Sequence, residues 1–206
     1  MRFSFKRRSE VREIKKFLYI FTEGKKTEPN YFNAKKKELR NQLIKVVINP
    51  PGVGGMCTMG LVDAAIKYIA DNNINSDPTA GGDSCWVVFD YDDFNTSFDN
   101  AISRALAHGL KVAYSNDSFE LWYVLHFREY SSPAGRKDYI KILNDLVPGG
   151  YHKNSDKMYP LIQNDEQTAI GRAKRLEKDQ AGVVGYSKRN PSTRIFALVE
   201  ELNLLK

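Results

Sequence analysis

The sequence predicts an α/β fold: a mostly parallel sheet flanked by helices, with a helical C-terminal part. Three observations carry that reading. Short apolar runs rich in β-branched and aromatic residues alternate with segments of helical period. The runs are nearly continuous in hydrophobicity, as expected of strands covered on both faces. Beyond residue 127 the strand signal stops and only helical patterns follow. A β-α-β order of this kind implies parallel strands joined by right-handed crossovers, and in such sheets functional groups gather beyond the strand carboxyl ends.

Each element has its own warrant. Phe17-Leu-Tyr-Ile-Phe-Thr22 reads as a buried strand bounded by Gly24. Thr27 is the expected N-cap of the next helix, with Pro29 near its first turn and Tyr31, Phe32, Ala34 and Leu39 as its apolar side. Leu43 to Ile48 reads as the second strand and runs into Asn49-Pro-Pro-Gly-Val-Gly-Gly55, a loop dense in helix breakers. That loop lacks the Lys-Ser/Thr of a phosphate-binding P-loop, so it reads as a plain connection. Thr58 is the expected cap of a helix through Leu61, Val62, Ala65, Ile66 and Ile69, followed by a polar loop from Asp71 to Asp83. Cys85-Trp-Val-Val-Phe-Asp90 is the clearest strand, Thr96 to Ala107 a helix stopped by Gly109, and Leu110 to Tyr114 a further strand. Helices are expected over Asp117–Phe127, Lys137–Leu146, Glu166–Lys178 and Thr193–Leu202, while residues 131–165 are weakly patterned, an insertion or a helical subdomain.

Composition excludes several classes. The chain of 206 residues is 42% hydrophobic and 12% aromatic, too rich in core formers for disorder. Cys57 and Cys85 are its only cysteines, which rules out a disulfide scaffold, and no run of about 18 apolar residues is present to span a bilayer. Phe17 to Phe21 is too short for a signal-peptide core, so a cytoplasmic location is expected. The net charge of +6 is concentrated in a basic arm, residues 1–16, which holds 7 basic and 2 acidic side chains. Residues 17–206 read as one domain of nearly balanced charge.

Three expected strands deliver carboxylates at or just past their ends: Glu23; Asp90, Asp92 and Asp93; and Asp117 with Glu120. Acids converging on one sheet edge repel, and protonation or a hard cation relieves the repulsion. Mg²⁺ suits oxygen ligands of this kind, with Mn²⁺ as the alternative. Alternation in Asp90-Tyr91-Asp92 puts that pair on one side of an extended segment, with Asp93 pointing elsewhere but still counted among the candidate ligands. On pattern alone, the same acids can equally cap helices or solvate loops.

Lys25 and Lys26 follow Glu23 at the mouth of a helix, where dipole and cationic side chains favour a substrate phosphate. Lys35, Lys36, Lys37, Arg40, Lys153, Lys157, Lys188, Arg189 and Arg194 can track a nucleic-acid backbone, with Tyr151, Tyr159 and Tyr186 available to stack on bases; an ordinary solvated surface is the competing reading. His108, His126 and His152 are scattered and have no zinc-site spacing; His126 reads as a core or helix-face histidine, and Cys85, inside an apolar strand, as an inert thiol.

Four stretches, Phe21-Thr-Glu-Gly-Lys-Lys-Thr-Glu-Pro-Asn-Tyr-Phe32, Val88-Phe-Asp-Tyr-Asp-Asp-Phe94, Ser115-Asn-Asp-Ser-Phe-Glu-Leu-Trp-Tyr-Val-Leu-His-Phe127 and Asn190-Pro-Ser-Thr193, together resemble the RloB-like family, which includes AbiL-type abortive-infection proteins. The resemblance implies a Toprim-like (Rossmann-like) α/β domain, a nuclease acting on DNA or RNA beside an AAA-type ATPase in bacterial defence against phage. It implies that Glu23 is the motif-one glutamate, a general acid or base or metal ligand, and that Asp90 and Asp92 are the Asp-x-Asp metal pair. Glu120 falls in a family motif and joins them as a catalytic candidate. The glycine that often follows the Asp pair is replaced here by Asp93-Phe94-Asn95. The competing expectation is a non-catalytic nucleic-acid-binding or interaction subunit of an ATPase complex; a homo-oligomer is compatible with both.

Overall fold

In the computed structural model, residues 16–40, 43–77, 81–91 and 97–206 are described. Strand β1 (Lys16–Thr22) leads into helix α1 (Thr27–Lys36), β2 (Ile44–Ile48), α2 (Thr58–Asp71), β3 (Ser84–Asp90), α3 (Phe98–Ala107) and β4 (Lys111–Asn116). Helices α4 (Glu120–Phe127), α5 (Arg136–Leu146), α6 (Met158–Ile162) and α7 (Glu166–Asp179) follow, then the two-residue β5 (Ser192–Thr193) and α8 (Ile195–Asn203). The sheet order is β2-β1-β3-β4-β5. Its first four strands are mutually parallel and β5 pairs antiparallel to β4. The fold is therefore the expected α/β, Rossmann-like arrangement with a helical C-terminal part.

The period-two geometry of the strands divides the core into two layers. Leu18 and Ile20 of β1, Trp86 and Val88 of β3 and Ala113 of β4 face a layer built with α1 and α4 to α8. Tyr19, Phe21, Cys85, Val87, Phe89, Val112 and Tyr114 face the other way, onto Leu61, Val62 and Ala65 of α2 and Phe98, Ala101, Ile102 and Ala105 of α3. Burial on both faces explains why these strands are continuous apolar runs. Because the chain goes from β1 to β2 on one side and to β3 on the other, the crevice between the carboxyl ends of β1 and β3 is the switch point, where such sheets bind ligands. Among the described residues, no helix is long and apolar enough to cross a membrane.

The weakly patterned segment 131–165 contributes α5 and α6, whose Tyr139, Leu143, Met158, Tyr159 and Ile162 join the larger core layer. Two expected caps differ. Lys26, not Thr27, occupies the N-cap of α1, and Cys57, not Thr58, that of α2. Both threonines begin their helices and spend their hydroxyls on tertiary partners, Thr27 on Asn154 Oδ1 at 3.1 Å and Thr58 on Glu23 Oε1 at 3.0 Å. The helix expected from Thr193 starts at Ile195, because Ser192 and Thr193 pair with β4 and Arg194 N–H donates to the Tyr114 carbonyl at 2.8 Å.

Candidate metal and phosphate site

The site begins with a one-residue extension of β1. Glu23 N–H donates to the Val88 carbonyl at 2.9 Å, continuing the β1–β3 ladder past Thr22. Its carboxylate is held from two sides: Thr58 Oγ1 donates to Oε1 at 3.0 Å, and Asp90 N–H donates to Oε2 at 3.2 Å. The strand end is braced from the glycine-rich loop. Thr22 N–H donates to Asn49 Oδ1 and Asn49 Nδ2 to Thr22 Oγ1, each at 2.7 Å, with Asn49 in the left-handed region at φ 43°. The loop that reads as a plain connection thus locks the end of β1.

Glu28, in the first turn of α1, folds back over Gly24, and a Cβ at Gly24 would collide with its carboxylate. Burial pushes the Glu28 carboxyl up to about 7; the charges of Glu120 and Glu23 add to the rise, while a backbone hydrogen bond and Lys153 oppose it. Asp90, 8% exposed, is likewise held well above the usual carboxylate range by burial, then by Glu28 and Glu120. The Arg136 guanidinium, with Nη2 at 3.3 Å from Asp90 Oδ2, and the Phe119 amide offset part of that rise. Glu120 opens α4 and is buried, its Oε1 accepting from Tyr151 O–H at 3.1 Å.

These acids line one cavity of about 360 Å³, together with Lys25, Lys26, Arg136, Lys153 and Asn154. Of the residues singled out in the sequence, Glu23, Asp90, Glu120, Lys25, Lys26 and Lys153 come together there. Asp92 and Asp93 lie outside the described residues. Asp117 anchors the start of α5, its Oδ2 accepting the Arg136 backbone N–H at 2.7 Å.

The acids suit a hard cation in chemistry. Among the described residues, no group of three His, Cys, Asp or Glu is arranged to hold a metal by itself. Mg²⁺ does not demand such a cage, because it binds through one or two carboxylates, keeps several waters and completes its shell with substrate phosphate. Glu23 and Asp90, which line the same cavity, are the two carboxylates that would hold it, and the crowding of Glu28 and Glu120 beside them is charge that a cation would balance.

Several expectations about the cationic surface are corrected. Lys35 is fully buried, paired with Glu166 Oε2 at 2.6 Å, and tracks no backbone. Tyr151 and Tyr159 are buried in the core and cannot stack on bases. Lys36, Lys37 and Arg40 are exposed, but sit at the end of α1 opposite the cavity. The half-buried Tyr186 already carries Arg189 over its ring at 4.6 Å. His126 is a core histidine and Cys85 the inert thiol expected: burial lowers His126 to about 4 and pushes the Cys85 thiol up to about 12.

Glu28, Thr58, Arg136 and Asn154 were not singled out as functional residues. Glu28 was hidden because an acid in a first helical turn is ordinary, and Thr58 because Thr before an apolar helix reads as a cap. Arg136 and Asn154 lie in the weakly patterned segment and carried no local signal.

The family model described as RloB-like protein matches residues 18–202. Neither a curated protein nor a solved structure matches the chain.

Proposed function

We propose, from the premise that this chain belongs to the RloB-like family, that it is a Toprim-like, Mg²⁺-dependent nuclease that hydrolyses phosphodiester bonds in DNA or RNA. The observation that carries this reading is that Glu23 and Asp90 meet at the switch point of the sheet, where the Asp90 backbone N–H donates to Glu23 Oε2 at 3.2 Å, and both line a cavity edged by lysine and arginine. Mn²⁺ is the alternative cation. A cation bound there supplies a water of lowered pKa and balances charge on the leaving oxygen.

The protein's own groups do the rest. Thr58 and the Asp90 amide fix the Glu23 carboxylate, so its direction is set before substrate arrives. Lys25 and Lys26, exposed before the start of α1, receive phosphate oxygens beside the helix N-terminus. Glu120, anchored by Tyr151, adds negative charge facing Asp90 and supports cation binding from the cavity wall. The biological setting that goes with this reading is bacterial anti-phage defence in the cytoplasm, under the control of an AAA-type ATPase.

A second reading is a non-catalytic nucleic-acid-binding subunit of the same complex. Asp93-Phe94-Asn95, standing where a glycine often follows the Asp pair, favours it. A cleavage assay on DNA and RNA, with and without the ATPase, separates the two. Mg²⁺-dependent cleavage abolished by a chelator is expected; binding without cleavage at any Mg²⁺ or Mn²⁺ concentration would favour the second reading.

A further inference from the structure

Arg136 reaches a carboxylate of the proposed centre, and no sequence signal marks it. It is the first residue of α5, and its backbone is fixed by two carboxylates: Asp117 Oδ2 accepts its N–H at 2.7 Å, and Asp138 Oδ2 accepts the N–H of Gly135 at 3.0 Å. The helix start is therefore held, while the side chain reaches into the cavity with about a third of its surface exposed. There its Nη2 lies 3.3 Å from Asp90 Oδ2, an oxygen of the proposed Glu23–Asp90 cation pair. A guanidinium and a divalent cation cannot share one carboxylate at that range without strong repulsion. A guanidinium also binds phosphate at least as well as carboxylate, through paired N–H donors.

We propose that Arg136 is an interlock between phosphate and cation: it holds Asp90 while the site is empty and swings to a phosphate oxygen of the nucleic acid when substrate arrives, releasing Asp90 to the cation. This deepens the reading above and rests on it. Arg136 is a substrate-binding and positioning residue in this scheme. Linkage makes the coupling reciprocal, so nucleic acid raises cation affinity and cation raises nucleic-acid affinity.

The test uses the intact protein and two binding measurements. Mn²⁺ alone is titrated by calorimetry, and a fluorescein-labelled single-stranded oligonucleotide is titrated in EDTA over a range of salt concentrations, for wild type, Arg136→Gln and Arg136→Lys. Arg136→Gln is expected to bind Mn²⁺ more tightly, because a positive charge beside Asp90 is gone. It is expected to bind the oligonucleotide about tenfold more weakly, with the slope of log affinity against log salt reduced by about 0.7, the value for one lost single-strand phosphate contact. Arg136→Lys keeps the charge and is expected to keep that slope, which also shows that the position tolerates substitution.

Opposite shifts in the two affinities are what a merely structural role would not produce. If both fall together in Arg136→Gln, or neither moves, the interlock is wrong while the nuclease reading stands. If wild type binds neither Mn²⁺ nor the oligonucleotide, the reading beneath it fails and the interlock with it.

Discussion

The Glu23 carboxylate is directed by a hydroxyl: Thr58, 1% exposed, donates to Oε1 at 3.0 Å from the first turn of α2. Thr58→Val keeps the shape and removes the donor. It is expected to lower the rate of cleavage about tenfold while costing only about 1 kcal/mol of stability, the usual worth of a neutral hydrogen bond. Thr58→Ser should restore the rate. An unchanged rate in Thr58→Val would show that Glu23 is oriented by other means. At this scale the sequence was informative where chemistry sits on a strand end. Glu23 and Asp90 were legible because a parallel sheet brings its carboxyl ends together. Glu28 and Thr58 were not, since helix starts ordinarily carry Glu and Thr, and Arg136 was not, since it lies in the weakly patterned segment; only the long-range fold turns all three inward.

Helices α1 and α7 are joined by a buried charge pair that local pattern concealed. In sequence, Lys35 with Lys36 and Lys37 reads as part of a basic face. It instead meets Glu166 at 2.6 Å and Asn203 Oδ1 at 2.9 Å, with Asn203 Nδ2 returning a bond to Glu166 at 2.8 Å. Removing one partner strands a buried charge, so Lys35→Met is expected to destabilise by about 3 kcal/mol, roughly 10 °C in melting temperature for a chain of this size. The double variant Lys35→Met/Glu166→Gln should recover part of it. A single variant that melts like wild type would show that the pair is dispensable.

Helix α4 carries a second buried group whose consequence is pH dependence. His126 is lowered from its ordinary 6.5 to about 4 by burial, with its Nδ1 bonded to the Trp122 carbonyl at 2.8 Å and Asp165, Arg172 and Lys35 as the charges that act on it. The unfolded chain then binds the extra proton first. Its contribution to stability is full above 6.5 and is lost as pH falls toward 4, by roughly 3 kcal/mol in all. Urea midpoints for wild type and His126→Asn from pH 7 to pH 4.5 should converge as pH falls. A constant difference between them would contradict the assignment.

Across the whole molecule, order and type of element were readable because burial on both faces leaves continuous apolar strands and one-sided helices. What escaped was short or irregular: the two-residue β5, made by pairing with β4, and α6, a five-residue turn of helix. Charge also divides at this scale. The surplus of positive side chains lies in residues 1–16, while the body of the protein gathers acids at one sheet edge and sets lysines and Arg136 around them. On the proposed function, a cation at that centre would let the edge receive a phosphate. If Asp90 holds the cation that makes this edge a nuclease, Asp90→Asn in saturating Mg²⁺ is expected to lose cleavage while melting within a few degrees of wild type; wild-type cleavage by a folded Asp90→Asn protein would overturn the proposed function.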